Sequence, residues 1–208
     1  MKIPEKFVSR LLMSIFGDLV IALGCAFIRF SDFGTDPYTS MNLGIKDALG
    51  MSLGVWQLLM NCVVIIWVFF ADRRKINIGT IFNMAGIGFM SDFLLYYIIE
   101  PLFGIEGTLL IRIIALIFSV LAIAVGLVLY VDADLGIAPY DAIAVIISEK
   151  LKKPQRYRWY RMATDFVCVI ISFIFKGPLG IGTLFVAFCT GPLAALLRNL
   201  FYGRKIPH

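Results

Sequence analysis

The 208 residues are 60% hydrophobic and only 16% charged, with a mean hydropathy of +0.89 and a formal net charge of +5. A soluble domain is about half apolar and roughly a quarter charged, so this excess of apolar surface has no water-facing core to fill, and lipid must solvate much of it. The basic balance does not point to nucleic acid, because lysines and arginines sit in short clusters between apolar segments, where membrane orientation accounts for them. The sole histidine is His208, which leaves histidine-based acid–base catalysis, Ser-His triads and ordinary zinc sites without a candidate. Cys25, Cys62, Cys168 and Cys189 lie inside apolar runs without C-x-x-C spacing and read as small buried hydrophobes. No cofactor or metal is expected.

A bilayer core about 30 Å thick takes roughly 17–25 apolar helical residues. The first such segment, 11–28, carries Asp18, lacks a small-residue cleavage site and is followed by five more, so it reads as a span rather than a removed signal peptide. Asp18 has no local partner, Arg10 being two turns away, which makes it the leading candidate for proton coupling or substrate contact. Next comes a polar stretch, 31–50. Asp36 before Pro37 is a strong helix start, with Asp as N-cap and Pro at the first helical position, where its missing N–H costs nothing. The spacing predicts a short helix over 37–49, ended by Gly50; at about 20 Å it is too short to span.

The second span, 53–71, contains Asn61, and the basic run Arg73, Arg74, Lys75 follows it. The third, 78–99, holds Asn83 and Asp92, and leads to a loop with Glu100 and Glu106 but no basic residue. In the fourth, 109–131, Arg112 sits near an end, where its long stem can reach the headgroups. A second short helix is predicted over 139–150, with Asp141 in the first turn and a basic stretch before Pro154. The fifth span, 159–175, places Asp165 four residues after Arg161, so an ordinary i,i+4 pair competes with a functional role. The sixth is 181–200. Phe30, Tyr96, Tyr97, Trp159, Tyr160 and Tyr202 fall near span ends, as an aromatic belt requires. With the N-terminus inside, fifteen of the nineteen basic residues fall on the cytoplasmic side, so both termini are expected there, in a cell inner membrane.

Shifting the sequence by 102 aligns 21–38 with 123–140 at seven identities in eighteen positions, with a shared D-x-G-x-x-P-Y. Ile78-Gly79-Thr80 matches Ile181-Gly182-Thr183 at a shift of 103, and Asn61 matches Asp165 at 104. Asp, Gly, Pro and Tyr are not interchangeable lipid-facing fillers, so duplication is the simplest account. The expectation is an all-α protein of six spans in two three-helix units, 1–104 and 105–208, the second inverted because three is odd. Each unit carries one short Pro-Tyr helix. Two placements of these fit the sequence: flat at the interface, or re-entrant with N-termini converging near the midplane. The continuously apolar 142–147, and the reach of about 20 Å available to 31–36, favour the second. Converging helix N-termini would favour an anion or a carboxylate.

The stretches Gly34-Thr-Asp-Pro-Tyr-Thr-Ser-Met-Asn-Leu-Gly44 and Asp134-Leu-Gly-Ile-Ala-Pro-Tyr-Asp-Ala142 resemble the signature of the YczE-like family, related to the YitT family. The resemblance covers nearly the whole chain. It implies a bacterial inner-membrane protein of this length, commonly supposed to be a transporter, and transfers no substrate or catalytic residue. Ala138 stands where the first copy has Asp36, so the two copies differ chemically.

These readings combine into a small-solute transporter or channel-like permease, with its pathway between the two units. The candidate substrate-binding residues are Asp18, Asp32, Gly34, Asp36, Pro37, Tyr38, Thr39, Asn61 and Asn83 in the first unit, and Asp134, Gly136, Pro139, Tyr140, Asp141 and Asp165 in the second. The expected partners are the lipid bilayer, a small anionic or amphipathic solute and, on size grounds, a second copy of the chain. The alternatives are a membrane-embedded accessory protein without a pathway and, less favoured, a lipid-acting enzyme, for which no nucleophile–base pair is visible.

Overall fold

The computed structural model describes residues 7–104, 108–153 and 157–202. Lys2, Lys6, Arg156, Arg204 and Lys205, which are among the fifteen basic residues counted for orientation, lie outside the described residues with Glu106, Pro154 and His208, as do the side chains of Arg158 and Tyr202. The described chain is helical without strands. Its helices are α1 (Phe7–Ser31), α2 (Pro37–Leu49), α3 (Leu53–Asp72), α4 (Ile78–Phe103), α5 (Leu109–Ala133), α6 (Pro139–Lys150), α7 (Tyr157–Ile174) and α8 (Ile181–Tyr202).

Five of these, α1, α3, α4, α5 and α8, are long and apolar enough to cross a membrane. The predicted fifth span corresponds to α7, which falls outside that group. It carries Arg158, Arg161 and Asp165 within its first nine residues, and only its second half is continuously apolar. That half points Phe166, Ile170, Phe173 and Ile174 outward. Similar outward-facing residues, among them Phe16, Val63, Phe70, Phe118 and Phe188, occur on the other long helices. In water this apolar surface would far exceed the few hundred Å² that a soluble monomer exposes; lipid removes the conflict.

The core begins at the crossing of α1 and α5, where glycines let the backbones touch. A Cβ on Gly126 would stand 2.7 Å from the Gly17 carbonyl oxygen, and one on Gly24 would stand 2.6 Å from Ile123 Cγ1. α4 packs on α1 and α8 on α5. The short helices are exchanged: α2 packs against α7, and α6 against α3, with Ala142 and Ile146 buried on Val68. Each half of the chain thus supplies a short helix that packs against a long helix of the other half.

The D-x-G turns dock in the same crossed manner. Asp32 and Asp134 cap α1 and α5 in the left-handed region (φ 58° and 52°), and Gly34 and Gly136 follow at φ 94° and 114°. The Phe33 carbonyl accepts from the Gly182 N–H (2.7 Å) and the Leu135 carbonyl from the Gly79 N–H (2.9 Å). A Cβ on Gly34 would collide with Thr183 Oγ1, and one on Gly136 with Thr80 Oγ1. The repeated Ile-Gly-Thr blocks are therefore seats for the opposite repeat's turn. Thr80 also completes a capping box with Asn77 at the start of α4.

The two flanks differ. α3 and α4 pack tightly, with Gly88 against Gly54 and Gln57. Their counterparts, α7 and α8, make no comparable contact, and Gly191, which matches Gly88, has nothing within 4 Å of an added Cβ.

Candidate functional site at the paired tyrosines

The first eight residues of α2, 37–44, are all buried, and so are Pro139 and Tyr140 at the start of α6. A helix lying flat at an interface would keep one face wet, so both short helices aim their N-termini into the protein body. There they meet: the Tyr38 and Tyr140 rings stack at 4.3 Å between centroids, 16° from parallel. Cys168 and Met41 close the pair's edges.

The hydroxyls sort the two sides. Tyr38 donates to Asn61 Oδ1 (2.8 Å), whose amide nitrogen donates to the Met84 carbonyl (3.2 Å). Tyr140 donates to Asp165 Oδ1 (2.7 Å). Arg161 lies over the Tyr140 ring, its guanidinium carbon 4.5 Å from the centroid, so arginine, Tyr140 and Tyr38 form a three-layer stack. The same guanidinium donates to Asp141 and approaches Asp165 (3.4 Å). The side chains of Arg161, Asp141 and Asp165 keep 32%, 27% and 26% of their surface, so this side of the aromatic pair is reachable where the Tyr38 side is closed.

The positive helix ends are already answered. Asp36 accepts from the Thr39 N–H (2.9 Å) as the α2 cap, and Asp141 sits in the first turn of α6. Both ends being met by carboxylates of this chain, the reason for expecting an anion there disappears. Asp141 and Asp165 instead flank one guanidinium that lies over an electron-rich ring face, which is the chemistry that holds a cation.

The remaining candidates lie elsewhere. Asp32 and Asp134 are exposed turn residues, ion-paired with Arg112 (3.5 Å) and Arg10 (3.6 Å). Gly34, Gly136, Pro37 and Pro139 shape backbone, and Thr39 is buried in the first turn of α2. Asp18 and Asn83 form a separate buried cluster between α1 and α4, Asn83 donating to Asp18 Oδ1 (2.7 Å). Asp92, noted only as polar, is engaged by Arg29 (2.9 Å) and the Gly54 N–H (3.0 Å). Sequence reasoning missed Arg161 as a site residue because its i,i+4 neighbour Asp165 explained it locally. The available signal was Asp141, an unpartnered acid opening a repeat-matched helix.

The chain belongs to a family of unknown function, DUF6198, whose model matches residues 8–199. It is 26% identical over 188 residues to the uncharacterized membrane protein YczE of Bacillus subtilis strain 168, covering 90% of this chain and 84% of that one. It is 27% identical over 177 residues to the uncharacterized protein YyaS of the same organism (84% and 85% covered). An uncharacterized protein of Haemophilus influenzae is 23% identical over 194 residues (93% and 84% covered). No solved structure matches. The YczE-like resemblance read from the two Pro-Tyr stretches holds over nearly the whole chain, in a multi-pass membrane protein.

Proposed function

We propose that the chain is a small-solute permease rather than an enzyme, with six crossings in two inverted triplets and both termini cytoplasmic. In this reading α7 also crosses, as the fifth of the six. Its charged first half faces α2 and α6, and its apolar second half faces lipid. The pathway runs between the repeats, past the paired tyrosines, and the solute is a small amphipathic cation.

The observation that carries this reading is Arg161 stacked on Tyr140 between Asp141 and Asp165. Charges inside a membrane protein are costly and mark ion or substrate routes. Here the guanidinium takes the place that a soluble cation would take: over a ring, among carboxylates, on the reachable side. A solute that displaces Arg161 inherits a ready set of partners, and the arginine's return expels it.

Proteoliposomes holding the purified chain should accumulate or exchange a quaternary ammonium or guanidinium probe above protein-free vesicles. Arg161→Ala should raise the probe's apparent affinity, and Asp141→Asn with Asp165→Asn should abolish uptake. Cysteine-accessibility labelling along 35–41 and 137–143 provides the second check. Water-accessible positions deep in the membrane support a pathway. Uniform protection, with no probe movement, would leave a scaffold or accessory role instead.

A further inference from the structure

The permease reading leaves one buried cluster unused. Ser14 and Asp18 lie one turn apart on α1 and face Gly79, Thr80 and Asn83 on α4, while Tyr130 arrives from α5. All are buried: Ser14 retains 0% of its surface, Asp18 6% and Tyr130 3%. Asn83 satisfies one Asp18 oxygen. The other, Oδ2, has no partner, and neither has Ser14 Oγ. The Tyr130 hydroxyl turns toward Thr80 and the Asp18 carboxylate without a well-formed bond.

The opposite repeat shows what this place looks like without polar groups. At the matching shifts Ser14 corresponds to Leu116, Asp18 to Val120, Asn83 to Val186 and Tyr130 to Ile28. Those four residues pack together as an apolar cluster. The frame therefore closes at this junction with aliphatic side chains alone, and the carboxylate is not needed to hold the helices together. A buried acid retained where its twin is a valine needs a reason other than packing.

We propose, resting on the permease reading, that Asp18 is a reversible proton-binding site that couples solute movement to protons. The step is a single protonation: hydronium gives its proton to Oδ2, an O–H bond forms, water leaves and the charge falls from −1 to zero. Asn83 keeps donating to Oδ1 in both states, and the new O–H finds the Ser14 or Tyr130 oxygen as acceptor. The charged groups around it do not compensate a bare carboxylate. From α1, Arg10 is committed to Asp134 at 3.6 Å; α4 offers only uncharged Thr80 and Asn83; α5 offers the neutral phenol of Tyr130. The closed packing between α1, α4 and α5 accepts the neutral acid, while the carboxylate calls for water. Protonation thereby biases the junction between closed and hydrated arrangements.

Infrared difference spectra of the full chain in liposomes, taken between mildly alkaline and mildly acidic buffer, should show a protonated-carboxyl C=O band that Asp18→Asn removes. The same substitution should abolish uphill probe accumulation driven by an imposed proton gradient. The double variant Asp18→Val, Asn83→Val copies the apolar twin. It should fold and also lack the band, which keeps the assignment testable if the single variant misfolds. A band that persists in both variants overturns the proposal, as does a wild-type thermal midpoint that follows sodium and ignores pH. Absence of probe movement in the wild type, with the band still lost in Asp18→Asn, marks failure of the permease reading and not of the proton site.

Discussion

The two flanks of this molecule are one design executed twice, with opposite results. On the first, Tyr38 bonds a neutral Asn61, and Gly88 lets α3 and α4 press together. On the second, Tyr140 bonds Asp165 beneath a guanidinium, and Gly191 faces open space where the corresponding contact would be. Gln57, buried and uncharged, stands at the position that matches Arg161. One flank is neutral and sealed, and the other is charged and reachable. In the permease reading proposed above, the first is the wall that holds and the second the wall that yields.

The sharpest way to break this comparison is with bulk. Gly88→Leu forces a side chain into a contact where even a Cβ would meet Gly54 Cα at 3.0 Å. It should cost about 2–3 kcal/mol by overpacking, read as denaturant-induced unfolding in mild detergent. Gly191→Leu should change stability by less than about 0.5 kcal/mol. Equal costs at the two sites would mean that the flanks are packed alike.

Charge is the next lever. Arg161→Met leaves Asp141 and Asp165 facing each other without a cation. A fully buried pair broken this way costs about 3–5 kcal/mol; with roughly a quarter of each carboxylate exposed, about 2 kcal/mol is expected. Gln57→Met, the matching change on the neutral wall, should cost about 1 kcal/mol or less. The smallest contrast lies in the hydroxyls. Tyr140→Phe removes a bond to a carboxylate and should cost about 1.5–2 kcal/mol, while Tyr38→Phe removes a neutral bond worth about 1 kcal/mol. In thermal scans the second variant should melt above the first, and the reverse order would contradict the assignment of the charged side.

Much of the frame was legible before any coordinates. The short helix at 37–49 is where Asp36-Pro37 and Gly50 place it, because capping chemistry is local. The second short helix runs over Pro139–Lys150 as read, with proline again at the first position. The long segments are read by hydropathy, which depends on composition alone. α7 is the exception: Arg161 and Asp165 stay out of reach of a composition rule, because they are offset by each other and by Asp141 and Tyr140 on another helix. The site was half legible for the same reason. Asp18 and Asn83 stood out singly, but Tyr130 reaches them from more than forty residues beyond either. The tyrosine stack joins the starts of two short helices about a hundred residues apart, and no local window of sequence contains both. Arg161 was misplaced by its convenient neighbour, since proximity along a helix does not exclude a stronger partner across a fold.

The exchanged short helices also set a timetable for biogenesis. α2 leaves the ribosome roughly 110 residues ahead of α7, the helix that covers it, and α3 similarly waits for α6. At about 5–20 residues per second the first half spends on the order of ten seconds with its buried polar turn unshielded. During that interval it is a half-clasp, and only the second half's arrival fastens it. The clasp closes when α6 and α7 reach the α3 and α2 surfaces that await them.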